Sequence, residues 1–167
     1  MKHWLTLLLG LFPVMAASQT LRFGHDRVQV WLPDAMQTRL VAGDDGSETL
    51  LATLGSPAEY ELALSLVLDA DADTPADVGE AFVRHLAQQQ GGQPQAAPGR
   101  VVLTTPGADF RRDGGTYRTL HWAIGFGRNA VTMTLTAPDS DVMSPALDAF
   151  FGQTLNRIVH SLQTVPR

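Results

Sequence analysis

Residues 116–136 read TYRTLHWAIGFGRNAVTMTLT, two alternating runs around a glycine-rich centre. Leu120, Trp122 and Ile124 recur at every second position in the first run, and Val131, Met133 and Leu135 do so in the second. A period of two is the signature of a strand with one buried face. Gly125, Gly127 and Asn129 lie between the runs, so the segment reads as an antiparallel hairpin turning through residues 125–129. Its opposite face then carries Tyr117, Thr119 and His121 beside Thr132 and Thr134.

Outward from this hairpin the chain offers more strands. Residues 60–69 place Leu62, Leu64, Leu66 and Leu68 on one side, with Glu61, Ala63, Ser65 and Val67 on the other. Residues 39–42 and 49–54 flank the turn-forming Gly43-Asp44-Asp45-Gly46 and read as a second hairpin. Val28, Val30 and Leu32 alternate up to Pro33-Asp34, residues 21–23 suggest a short first strand, and residues 101–104 another before a loop through Asp113-Gly114-Gly115. Gln88 to Pro94 reads as a polar loop. Thr74-Pro75-Ala76-Asp77 has the form of a helix start, Thr74 as cap and Pro75 first inside, with Val78, Ala81, Phe82 and Leu86 as the apolar face. A last helix spans about 145–162, with Leu147, Phe150, Phe151, Leu155, Ile158, Val159 and Leu162 as its stripe. Short turns within each strand group require antiparallel neighbours. The expected class is α+β: an antiparallel β-sheet flanked by two main helices.

Three stretches, Val28 to Asp34, Gly114-Gly115-Thr116-Tyr117, and Val131 to Pro138 running on to a helix that ends near Ser161-Leu162, make the chain resemble the PsbP-like group, which includes the DcrB-like proteins. The resemblance implies a curved antiparallel sheet flanked by helices, and a non-enzymatic accessory, adaptor or envelope role. The chain lacks the lipid-bearing cysteine that DcrB-like proteins use.

At the other end, Lys2, the apolar run from Trp4 to Val14 and the small residues Ala16, Ala17 and Ser18 have the three parts of a secretory signal peptide. The run falls well short of the roughly 20 apolar residues that span a bilayer. Residues 1–17 are therefore expected to be removed, leaving a single domain over 18–167 in the periplasm or outside the cell, with no stable membrane anchor. Lys2 is the only lysine, and there is no cysteine. Thiol chemistry, thiolate metal sites and Schiff-base catalysis are excluded. The chain carries a net charge of −5, which argues against nucleic acid as a partner.

Several clusters are candidates for chemistry. Asp69, Asp71, Asp73, Asp77 and Glu80 match the acid spacing of a calcium-binding loop. Thr74 stands where that loop needs glycine, however, so an acidic helix entry explains them as well. The histidines lack metal-ligand spacing, no Gly-x-Ser-x-Gly elbow occurs, and no cofactor is implied. Gly125-Phe126-Gly127-Arg128-Asn129-Ala130 fits a loose dinucleotide fingerprint, but strands flank it where a helix must follow. The remaining candidate is a binding surface of Tyr117, Arg118, Thr119, His121, Arg128, Thr132 and Thr134. The expected function is an exported, non-enzymatic protein-binding domain of the cell envelope, such as an adaptor, an accessory factor or a toxin-immunity protein. A periplasmic small-ligand or calcium-binding protein is the alternative.

Overall fold

The computed structural model describes residues 18–55, 60–138 and 145–166, with 145–151 described by their backbone alone. The expected signal peptide, the break at Ser56-Pro57 and the side chains of Leu147, Phe150 and Phe151 lie outside the described residues. The elements run in the order β1 (Ser18–Phe23), β2 (Val28–Pro33), β3 (Gln37–Ala42), β4 (Glu48–Leu54), β5 (Tyr60–Asp69), α1 (Val78–Gln90), β6 (Gln95–Ala97), β7 (Arg100–Arg112), β8 (Gly115–Phe126), β9 (Asn129–Pro138), α2 (Pro145–Ser161) and β10 (Gln163–Thr164). The class is α+β, as the alternating runs require.

Two meanders, β3-β4-β5 and β7-β8-β9, join where β5 pairs antiparallel with β9. Together with β6 they form a seven-stranded antiparallel sheet in the order β3-β4-β5-β9-β8-β7-β6. A three-stranded sheet, β1-β2-β10, stands apart from it. The hairpin at 116–136 pairs Leu120 with Leu135, Trp122 with Met133 and Ile124 with Val131, the core face expected. Its turn is tighter than the five residues expected. Phe126 pairs with Asn129, so only Gly127 and Arg128 turn the chain, Gly127 at φ 52°.

The sheet buries apolar side chains on both faces. On one face Leu50, Leu62, Leu64, Ile124 and Met133 pack with Phe23, Val30 and Leu32 from β1-β2 and with Ile158 and Leu162 from α2 and its end. On the other, α1 covers one end of the sheet, where Val83 and Ala87 meet Val101, Leu103, Ala123 and Ala130. The expected grouping of Leu68 with Leu62, Leu64 and Leu66 is corrected here. A bulge between Leu66 and Leu68 pairs them with Val131 and Ala130, which face opposite ways, so Leu68 packs under α1. One extra residue in a strand reverses every side chain beyond it.

Helix α1 also departs from expectation. The Thr74 hydroxyl donates to the Asp71 carbonyl, closing a turn, so Thr74 does not cap the helix. The helix starts at Val78 with Asp77 at its N-cap. Its buried face is Gly79, Val83 and Ala87, and Phe82 points outward at 36 % exposure. The cause is backbone contact. The Gly79 amide donates to the Gly127 carbonyl at 2.9 Å, satisfying one of the open donors of the first turn. A Cβ on Gly79 would lie 2.0 Å from the Asn129 carbonyl oxygen, and one on Gly125 would lie 2.1 Å from the Gly79 carbonyl oxygen. Only glycines let helix and hairpin turn touch in this way.

At the end of α2, the Arg100 guanidinium reaches from β7 to the carbonyls of Val159 and Leu162. These are among the last carbonyls of a helix, which have no partner within it. Burial lowers the pKa of Arg100; its two terminal nitrogens meet these carbonyls, while its Nε is buried and bonds nothing among the described residues. Arg100→Met keeps the stem and removes the donors, and is expected to lose about 1–2 kcal/mol in a urea unfolding series.

Candidate functional site

Strand β7 extends well past the expected 101–104. It runs to Arg112 because the chain absorbs Gly107-Ala108 as a bulge opposite Thr119, with the register slipping between Pro106 and Asp109. β6 pairs only with Arg100 to Val102, so Pro106 sits on a free edge where its missing N–H breaks no ladder. Asp113 and Gly114 then turn the chain at φ 50° and 82°, the two positive values of a tight hairpin turn. The expected loop is thus a long β7–β8 hairpin, whose tip lies at the end of β8 away from α1.

The register places the candidate side chains. Thr119 opposes Thr136, His121 opposes Thr134 and Ala123 opposes Thr132, so Tyr117, Thr119, His121, Thr132 and Thr134 share one face, as expected. Ser65 and Ala63 on β5 continue it beside Thr132 and Thr134. Helix α1 covers only the end of this face. Past its Leu86 and Gln90, a cavity of about 390 Å³ opens over Thr105, His121, Thr132 and Thr134.

Part of the polar set is occupied by the fold itself. His121 Nδ1 and Thr134 Oγ1 are hydrogen-bonded at 2.9 Å, and the Thr119 hydroxyl donates to the Ala108 carbonyl at 3.1 Å. A Cβ on Gly107 would come 1.9 Å from Thr119 Oγ1 and 2.7 Å from His121 Nε2, so the β7 bulge lies directly across these two residues.

The two arginines do not join the cluster. Arg118 faces the other side of the sheet and pairs with Asp109 at 3.0 Å. Arg128 sits in the turn at the far end of the hairpin, where its Nε donates to the Thr74 carbonyl at 2.9 Å. Two further residues join this face in the structure. Phe110 is the register partner of Tyr117, their rings stacked at 5.8 Å and 21°. The Arg112 guanidinium lies 4.5 Å from the Tyr117 ring centre. Phe110 is 38 % exposed. The missed signal was Asp113-Gly114: a two-residue turn fixes that register by itself.

The acidic segment is spread out. Asp69 accepts the Arg27 Nε and Nη2 at 2.8 Å each, which raises the Arg27 pKa, and Glu80 pairs with Arg84 one turn along α1. Asp71 contributes its carbonyl to the Thr74 turn, and Asp77 makes no side-chain cap bond. Among the described residues no three acidic or histidine side chains gather to hold a metal ion. His25 bonds the Gly46 carbonyl and His85 bonds Gln89, as surface histidines do. No helix among the described residues is long and apolar enough to cross a membrane.

No protein-family model matches the chain, and the search of curated proteins found no match. Solved structures do match. A Bacteroides thetaiotaomicron protein aligns over 89 % of this chain at 11 % identity with a TM-score of 0.61. This chain covers 48 % of that protein, about half its length. The likeness is one of fold. A cyanobacterial PsbP (CyanoP) from Synechocystis matches at 15 % identity, TM-score 0.39, over 93 % of this chain and 96 % of that one. LpqN, described as involved in cell envelope biogenesis of Mycobacterium tuberculosis, matches at 13 % identity, TM-score 0.45, over 90 % of this chain and 91 % of that one.

Proposed function

We propose that residues 1–17 export this chain and that residues 18–167 act as a non-enzymatic protein-binding domain of the cell envelope, an adaptor, accessory factor or immunity protein. Its contact surface is the tip of the β7–β8 hairpin and the open sheet face beside it. The observation that carries this reading is the stack of exposed Phe110 on half-buried Tyr117, with half-buried Arg112 over the Tyr117 ring. Aromatic and arginine side chains supply most of the binding energy at protein interfaces, because they bury large rigid areas at small entropic cost. Phe110 and Tyr117 already stack on each other in the unbound chain, which lowers the cost of binding further. The threonines of the open face add short, stiff hydroxyl side chains that can form a polar rim.

Photo-crosslinking tests this reading in the producing cells. A benzoyl-phenylalanine replaces Tyr117 in one version and Arg84, on the outer face of α1, in the other. A single discrete adduct from position 117 and none from position 84 is expected. Adding Phe110→Ala to the first version should remove the adduct. Equal adducts from both positions would contradict the proposal.

A further inference from the structure

Strand β3 is one edge of the seven-stranded sheet, and among the described residues only β4 pairs with it. Five of its six residues are exposed, Leu40 at 51 % and Val41 at 37 %. An open strand edge is a template for another strand, and folds blunt such edges with proline, lysine, bulges or short strands. The opposite edge is blunted in that way. β6 has only three residues, between Pro94 and Pro98, and β7 beyond it carries Pro106 and the Gly107-Ala108 bulge. β3 has no proline and no lysine, and its register with β4 runs unbroken from Gln37 to Ala42.

The β3–β4 turn fixes which backbone groups of β3 face outward. The Gly43 amide donates to the Ser47 carbonyl at 2.8 Å, so Gly43 and Ser47 are a bonded pair. Bonded and unbonded pairs alternate along an antiparallel ladder. Gln37, Arg39 and Val41 therefore direct their amides and carbonyls to β4, while Thr38, Leu40 and Ala42 turn theirs to the open edge.

We propose that β3 pairs antiparallel with β3 of a second copy about a two-fold axis beside Leu40, joining the two sheets edge to edge. In this register Leu40 opposes Leu40 and Thr38 opposes Ala42, so every outward amide and carbonyl of β3 meets its complement. Opposed residues share a face. The exposed Leu40 side chains then cover each other, and each exposed Val41 lies under the aliphatic stem of Arg39 from the other copy. Arg39 is the one charged residue of β3, and the turn of the other copy that holds Asp44 and Asp45 begins just beyond it. Reaching toward those carboxylates carries each guanidinium away from the two-fold axis and so from the other arginine. A register centred on Arg39 would instead oppose like charges. Two edges about 20 Å long bury less than the roughly 1,200 Å² of a stable interface. The pair is therefore weak, with a dissociation constant on the order of 100 µM. β3 lies across the sheet from the β7–β8 hairpin, so pairing there leaves the proposed contact surface free.

Sedimentation velocity of the purified protein from about 10 µM to about 1 mM spans that range. The sedimentation coefficient should rise with concentration toward that of a dimer. Leu40→Pro removes an outward amide, a change that an edge strand tolerates, and should weaken association at least about tenfold. Ala42→Pro does the same at the next outward position, and it is the variant read if Leu40→Pro lowers the melting temperature. The chain has no cysteine, so single cysteines report the register. Under mild oxidation Leu40→Cys should give a disulfide-linked dimer. Val41→Cys should stay at the background set by Phe82→Cys on α1, because its counterpart lies two residues off along the ladder, beyond disulfide reach. The proposal is overturned if the parent stays monomeric at about 1 mM, if a proline variant of unchanged melting temperature associates like the parent, or if Val41→Cys crosslinks as fast as Leu40→Cys.

Discussion

Replacing Gly79 by alanine is expected to destabilise the protein by about 3 kcal/mol, as overpacking against an unyielding neighbour does. For a chain of this size that lowers the thermal midpoint by about 10 °C. The added methyl meets the Asn129 carbonyl oxygen at 2.0 Å, and backbone on the far side cannot rotate away as a side chain would. Helix α1 has to lift off β8 and β9, opening the second core around Val83, Ala87 and Ala123. Gly125→Ala is expected to act alike, through the Gly79 carbonyl oxygen at 2.1 Å. The double variant should lose much less than the two single losses together, since both force apart the same contact between helix and turn. Gly152→Ala is the control: it lies within α2 with nothing inside 4 Å of the added carbon, so it should stabilise by about 0.5–1 kcal/mol. Differential scanning fluorimetry on the set is sufficient.

The second large effect concerns binding. Phe110→Ala with Tyr117→Ala is expected to weaken the partner captured from position 117 by at least about 100-fold, as loss of two paired hot-spot aromatics does. The stack sits at a free sheet edge and Phe110 is already 38 % exposed, so stability should change by no more than about 1 kcal/mol. Surface-bound parent and variant, compared against the purified partner, separate the two effects. Arg118→Ala should leave affinity within about threefold, because Arg118 points to the other face and pairs with Asp109.

The parts of the fold legible in the sequence are those governed by local periodicity. The Leu120–Leu135, Trp122–Met133 and Ile124–Val131 pairs follow from alternation alone, and so does the shared face of Tyr117, His121 and Thr134. What stayed hidden depends on contacts between distant segments. The buried side of α1 is set by Gly79 meeting the β8–β9 turn, and the apolar pattern of Val78, Ala81 and Phe82 gives no sign of it. The bulge at Leu66–Leu68 falls in the uninterrupted apolar stretch Leu66-Val67-Leu68, where alternation gives no sign of it. Pro106-Gly107 looks like a strand end, because a sequence does not reveal that β7 lies on a free edge there. That one misreading detached Phe110 and Arg112 from Tyr117 and left the aromatic stack out of the candidate site. Arg118 and Arg128 entered it by proximity in sequence, although strand alternation alone places Arg118 on the opposite face from Tyr117.

Backbone hydrogen exchange of the protein with and without its crosslinked partner reads the proposed surface directly. Exchange across Thr105 to Thr119 should slow on binding, while the outer face of α1 from Val78 to Gln90 stays as in the free protein. Unchanged exchange over Thr105 to Thr119, with slowing confined to α1 or to the three-stranded sheet, would contradict the assignment of the hairpin as the contact surface.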